Sequence, residues 1–308
     1  MLLQGLSFFA LYNNYFIKKH YYTNIALTHK KMNDKINRIM FGGDILRSIG
    51  INVSENIVFG TERYIEYVAK TGFDSVFTCG NDENFISFVK KKCIQTGLCY
   101  ETLHAPFDGI NGLWLADRAK EVTDKLKRSV ELAHENEIGI VIVHLSSKEN
   151  CPPVTDIGLK HFDSLVEFAR SKNVTLAVEN QRKLGNIATI LELYPKGSGV
   201  EFCWDVGHEK CFAHGKEYMP LFGNRCITTH IHDNNMIYNT DEHLIPFDGS
   251  IDFKRTAELL NAYNYQGTLM LELDLPNEHS DKYKELSMEQ FVQKAYAAIN
   301  RLRIISEY

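Results

Sequence analysis

Eight short runs of β-branched and apolar residues, each followed by a stretch of helical period, organise the chain from residue 48 to its end. They read SIGINV (48–53), DSVFTC (74–79), CYETLHA (99–105), GIVIVHL (139–145), VTLAVEN (174–180), VEFCWDV (200–206), CITTHIHD (226–233) and GTLMLEL (267–273). Between them lie helical candidates such as TERYIEYVAKTG, ENFISFVKKKCIQTG, ADRAKEVTDKLKRSVELAHENE, GLKHFDSLVEFARSKN, NIATILELY and DFKRTAELLNAYN, and MEQFVQKAYAAINRL closes the chain. Strictly alternating strands and helices build a parallel sheet, and eight such units predict a single (β/α)8 barrel over residues 46–308. Residues 1–45 show neither period and are expected to be an N-terminal extension.

With 308 residues, 44% hydrophobic and 24% charged, the chain suffices for one large α/β domain plus an appendage. Its net charge of -5 provides no global positive field to draw in nucleic acid or an anionic membrane. The seven cysteines form no CxxC pair and several fall within predicted strands or helices, as reduced core thiols in a cytoplasmic protein do. Near the N-terminus, LLQGLSFFALY is short, lacks a preceding basic region and runs into polar NNYFIKKHYY, so neither a signal peptide nor a membrane span is expected.

Six of the runs end on a side chain able to bind a metal: His104, His144, Glu179, Asp205, His230 and Glu272. Barrel active sites gather at the carboxyl ends of the strands, so the series points to a metal centre in the barrel mouth. Strand alternation refines this. If Leu176, Val178, Phe202, Trp204, Leu269 and Leu271 face the helices, then Ala177, Glu179, Cys203, Asp205, Met270 and Glu272 face the interior. Glu179, Asp205, His230 and Glu272 offer mixed oxygen and nitrogen donors, suited to Mn²⁺, Zn²⁺, Co²⁺ or Mg²⁺. A second set surrounds them: His104, His144, His208, and Asp241 and His243 in the loop after the seventh run.

The pieces LHAPF (103–107), VEN (178–180), WDVGH (204–208) and HIHDNNMIYNTDEHLIPFDGSID (230–252) resemble the xylose isomerase-like TIM-barrel superfamily, from about residue 48 to 305. That superfamily holds sugar isomerases and epimerases and the AP endonuclease family 2 enzymes. PFDGSID departs from the P-x-G-x-G-x-I-D pattern of the epimerase branch, with Phe247 and Asp248 before a single glycine, so the turn closing that loop is expected to differ.

The epimerase resemblance implies one divalent ion on Glu179, Asp205, His230 and Glu272, and isomerisation or epimerisation of a sugar or sugar derivative through an enediolate. Glu179 and Glu272 are then the bases, working on opposite faces of the substrate. His104, His144, His208 and His232 are the expected substrate contacts, with Phe107 and Trp114 as an apolar wall. The endonuclease branch implies instead a three-zinc cluster that adds His104, His144, His208, Asp241 and His243 as ligands and cuts abasic DNA. Phe107 in place of the usual tyrosine and His232 in place of the usual asparagine count against it. So does a mouth whose loops carry Asp108, Glu149, Asp241, Glu242 and Asp248 beside only Lys148, Arg182, Lys183 and Lys210. A small-molecule sugar is therefore the expected partner, with homo-oligomerisation left open.

Overall fold

The computed structural model describes residues 46–55, 57, 60–275 and 282–306; the predicted extension lies outside them. Eight strands form one sheet: β1 (Ile49–Val53), β2 (Ser75–Cys79), β3 (Cys99–His104), β4 (Ile140–Val143), β5 (Thr175–Glu179), β6 (Val200–Asp205), β7 (Cys226–His230) and β8 (Leu269–Leu271). Neighbours pair in parallel through the order β7-β6-β5-β4-β3-β2-β1-β8. The two ends meet at Ile231, whose N–H donates to the Met270 carbonyl at 2.8 Å and whose carbonyl accepts from the Glu272 N–H at 3.1 Å. This closing seam brings His230 and Glu272 side by side, because they flank the residues that make it.

The helices are α1 (Thr61–Thr71), α2 (Glu83–Thr96), α3 (Ala119–Glu135), α4 (Asp156–Ser171), α5 (Leu184–Leu193), α6 (Val206–Phe212), α7 (Met219–Phe222), α8 (Phe253–Ala262) and α9 (Met288–Ile305). Local chemistry sets their ends. Asp82 accepts from the Phe85 N–H and Thr155 from the Gly158 N–H, each satisfying an orphan donor of a first turn. Ser287 and Gln290 form a reciprocal capping box that starts α9. No helix of the described residues is long and apolar enough to cross a membrane.

Alternation along the strands sorts the apolar residues into two cores. Leu176, Val178, Phe202, Trp204, Leu269 and Leu271 pack outward against the helices, while Ile142, Ala177 and Cys203 form a separate cluster inside the barrel. Gly50 makes room for a further plug residue, since a Cβ there would lie 2.5 Å from both the Met270 sulfur and the Ser75 hydroxyl. Above this apolar plug the interior turns polar, and the site residues collect there.

Some elements differ from their expected extent. The β-ladder stops at Val143 and at Leu271, so His144 and Glu272 lie just beyond their strands, and β7 ends at His230 three residues before the expected Asp233. Helices α6 and α7 occupy a stretch that periodicity did not mark. None of the seven cysteines forms a disulfide among the described residues.

Candidate metal centre

Strands β5 to β8 deliver Glu179, Asp205, His230 and Glu272 to one point, with one ligand atom of each within 4.8 Å of the others. His230 is the hub. Its Nδ1 faces Glu179 Oε1 at 2.6 Å, Glu272 Oε2 at 3.2 Å and Asp205 Oδ2 at 4.0 Å, while its ring stacks on Phe77 at 4.6 Å. A single nitrogen turned toward three carboxylates is an arrangement that a cation resolves. Asp205 Oδ2 is buried without a hydrogen-bond partner, an orphan acceptor that a bound ion would satisfy. The donor set thus fits a hard or borderline divalent ion.

Two clamps aim Asp205. Its Oδ1 accepts from the His208 N–H at 2.6 Å as the N-cap of α6, and the Asn180 side chain pairs reciprocally with its backbone N–H and C=O, both at 2.8 Å. The amide of Asn180 continues the β5–β6 ladder one step past its end. Asn180→Ala is expected to lower divalent-ion affinity roughly 10- to 100-fold by freeing Asp205. Titration with Mn²⁺ or Zn²⁺ checks this, and an unchanged affinity would refute it.

Two further groups adjoin the quartet. His104 and His144 bring their Nε2 atoms 3.1 Å apart, and both contact Glu179 Oε2, the former at 3.2 Å. On the other side His208, His232, Asp241 and His243 also hold donor atoms within 4.8 Å of one another. There Asp241 Oδ2 lies 3.0 Å from both His208 Nε2 and His243 Nε2. His232 stacks on His243 at 4.0 Å, and both its nitrogens are buried without a hydrogen bond. Gly207 permits this, since a Cβ there would fall 1.9 Å from the His232 ring.

Burial opposes charge throughout the network, yet the opposite charges outweigh it. Glu272 and Glu179 raise His230 well above the ordinary histidine range, and Asp205 and Asp241 do the same for His208. Asp241 raises His243 to about 9. In return His230 holds Glu179 and Glu272 low, and His208 and His243 hold Asp241 low. Burial lowers His144, against the opposing pull of the Glu179 carboxylate.

The metal-free protein therefore has a defined pH dependence. Raised histidines contribute stability in full below their unfolded value, near 6.5, and lose it as pH climbs through the folded value, about 9 for His243. The depressed carboxylates contribute above about 4.5 and lose that stability as pH falls. Thermal melts of chelator-treated protein should show Tm falling on the alkaline side of pH 6.5. Saturating divalent ion should blunt that fall, because metal takes the deprotonated ligands. A flat alkaline limb without metal would contradict the assignment.

Of the other residues picked from sequence, Phe107 is 46% exposed, stacks on His144 at 4.6 Å and lines the mouth. Trp114 does not line it. It is 1% exposed in a 3-10 turn, donates to the Leu145 carbonyl at 2.6 Å and packs on Gly158, where a Cβ would lie 2.3 Å from its ring. His232 is fully buried between Asp205 and Asp241, among the candidate ligands.

Several participants escaped the sequence reading. Gln181 bridges His144 Nε2 at 3.2 Å and His208 Nδ1 at 2.9 Å. Asp233 gathers the N–H groups of Asn234, Gly249 and Ile251 and so ties both ends of the loop that carries Asp241 and His243. Within PFDGSID, Phe247 takes a left-handed φ of 73° beneath the Arg301 guanidinium, 3.9 Å from the ring centre. The available signals were the run VENQ and the inward phase of Phe77 in DSVFTC.

Residues 65–291 match the family described as xylose isomerase-like TIM barrel. The chain belongs to that family. Among curated relatives of this xylose isomerase-like barrel is the uncharacterized protein y4fM of Sinorhizobium fredii, 31% identical over 191 residues, which are 58% of each chain. The chain thus spans less than two thirds of that relative's length. Among solved structures it is similar to a D-tagatose 3-epimerase-like protein, at 20% identity and TM-score 0.66, over 84% of this chain and 97% of that one. It is also similar to a D-psicose 3-epimerase crystallised in the presence of D-fructose, at 15% identity and TM-score 0.67, over 85% and 100%. At such identities these two likenesses concern the fold.

Proposed function

We propose that the chain is a divalent-metal-dependent isomerase or epimerase of a sugar or sugar derivative, working in the cytoplasm. One observation carries the reading: the His230 nitrogen faces Glu179, Asp205 and Glu272 at the closed seam of the barrel mouth. The epimerase structures that share the fold support the substrate class, and seven cysteines outside any disulfide among the described residues agree with a reducing compartment. An ion held by Glu179, Asp205, His230 and Glu272 would supply Lewis-acid polarisation of the substrate carbonyl.

The protein's own groups supply the rest. Glu179 ends β5 and Glu272 follows β8, strands that are not neighbours, so one accepts the proton beside the carbonyl as a carboxylate while the other, protonated from solvent, delivers a second proton to the opposite face of the resulting enediolate. His104 and His144 contact Glu179 and keep it in the carboxylate form that a base requires. Gln181 and His208 reach the cleft, where they hold substrate hydroxyls, and Phe107 covers sugar carbons.

The test is solvent exchange. Incubated in D2O with Mn²⁺, the protein should incorporate deuterium next to the carbonyl of at least one member of a ketose and inosose panel. Failure across the panel would sink the reading. A zinc phosphodiesterase remains the second reading, favoured by the His208, His232, Asp241 and His243 cluster beside His104 and His144. Nicking of abasic-site DNA that disappears in Glu179→Gln would put it first.

A further inference from the structure

Beside the quartet a cleft of about 410 Å³ opens between two aromatic rings, Phe107 stacked on His144 and Phe212 stacked on His208. Its outer end is cationic. The Arg182 guanidinium carbon lies over the Phe212 ring, 3.5 Å from its centre, and Phe212 in turn stacks on His208, so these contacts run from the ligand cluster to the rim. Two of the five guanidinium N–H groups donate to Asn239 Oδ1, and among the described residues the others have no hydrogen-bond acceptor. Lys148 stands beside it. Its loop is fixed by Asn111, whose side chain pairs reciprocally with the Ser147 N–H and C=O, both at 2.8 Å.

Neither cation has a carboxylate within ion-pair distance among the described residues. Three of the rim carboxylates that dominate a count of charges are engaged elsewhere. Asp241 lies between His208 and His243, and Glu242 accepts from Asn235. Asp248 pairs with Lys294 and Tyr283, and Glu149 lies on the wall of the space beyond Arg182. Asp108, on the opposite lip, is the remaining acid of the cleft. At Arg182 the opening continues into a second space of about 430 Å³ that shares Asn111, Lys148 and Arg182 as walls and adds Glu149. The cleft on the other side of the mouth, by contrast, is lined by Glu55, Asp82 and Asp274.

We infer that the substrate carries an anionic group, a phosphate ester or a carboxylate, at the end remote from its reacting carbon, and that Arg182 and Lys148 receive it. This rests on the sugar isomerase reading. An arginine fork beside a lysine matches either oxyanion, and the acidic opposite cleft leaves one orientation for a substrate charged at one end.

The experiment compares kcat/KM for a neutral ketose, its terminal phosphate and the corresponding ketouronate, alongside calorimetric binding of inorganic phosphate. The wild-type protein should favour one or both anionic sugars by roughly ten- to hundredfold, and which one names the group. Arg182→Gln with Lys148→Gln should reduce that preference to about threefold or less and weaken phosphate binding about tenfold. Arg182→Lys should retain part of it, and Asp108→Asn should increase it, an opposite sign that misfolding does not produce. Equal turnover of neutral and anionic sugars, or a preference that survives the double substitution, overturns the inference while leaving the isomerase reading intact. If no sugar is turned over yet phosphate binding still drops in the double variant, the anion site stands and the isomerase reading falls.

Discussion

Glu179→Gln is expected to lower turnover of a responsive ketose by about three orders of magnitude, within the range for losing a general base. The substitution keeps the shape of the side chain and removes its charge. Glu179 is fully buried and meets His104, His144 and His230, so no other carboxylate can move into its place. The amide would also oppose its NH2 to N–H donors, leaving His230 with only Glu272 in hydrogen-bonding reach. Bound divalent ion measured by atomic emission should fall with activity. If excess Mn²⁺ restores binding without restoring turnover, Glu179 is both ligand and base; restoration of both would leave it a ligand alone.

Glu209→Ala is expected to destabilise the fold by about 3–5 kcal/mol without altering any candidate ligand. Although it follows His208 directly, Glu209 points away from the metal centre and is fully buried. It accepts from the Trp204 indole N–H and the Tyr218 N–H, both at 2.8 Å, and from Lys210 at 2.9 Å. Truncation strands two buried donors and leaves a cavity beneath α6. Urea unfolding followed by tryptophan fluorescence should show a large fall in midpoint, and Glu209→Gln a smaller one. A midpoint within about 0.5 kcal/mol of wild type would show that α6 is held otherwise.

The inner quartet was legible because a strand turns successive side chains to opposite faces, so a buried carboxylate two residues from Ala177 or Cys203 inherits the inward direction. Helix α6 was not. It begins at the residue after Asp205, which serves at once as strand end and cap, and seven residues carry too little periodicity to announce a helix that tertiary contacts hold in place. Trp114 was read as a wall because it is aromatic and follows a strand. What seats it inside is Gly158, more than forty residues on, a pairing that no local pattern reveals. Asn180 and Gln181 were passed over because amides do not titrate, although they follow Glu179 directly. The rim charges were visible as a count, but their pairing depends on geometry.

Asp233 has a consequence for how this barrel changes over generations. By bonding to residues 234, 249 and 251, one carboxylate closes the intervening loop at its base, and loop-closure entropy grows only slowly with the length enclosed. Asp241 and His243 ride on that loop, whereas Glu179, Asp205, His230 and Glu272 belong to the strands or to the seam that closes them. Insertions and deletions between residues 235 and 248 can therefore rebuild or discard the outer cluster while the inner quartet keeps its frame, making chemistry and specificity separately heritable.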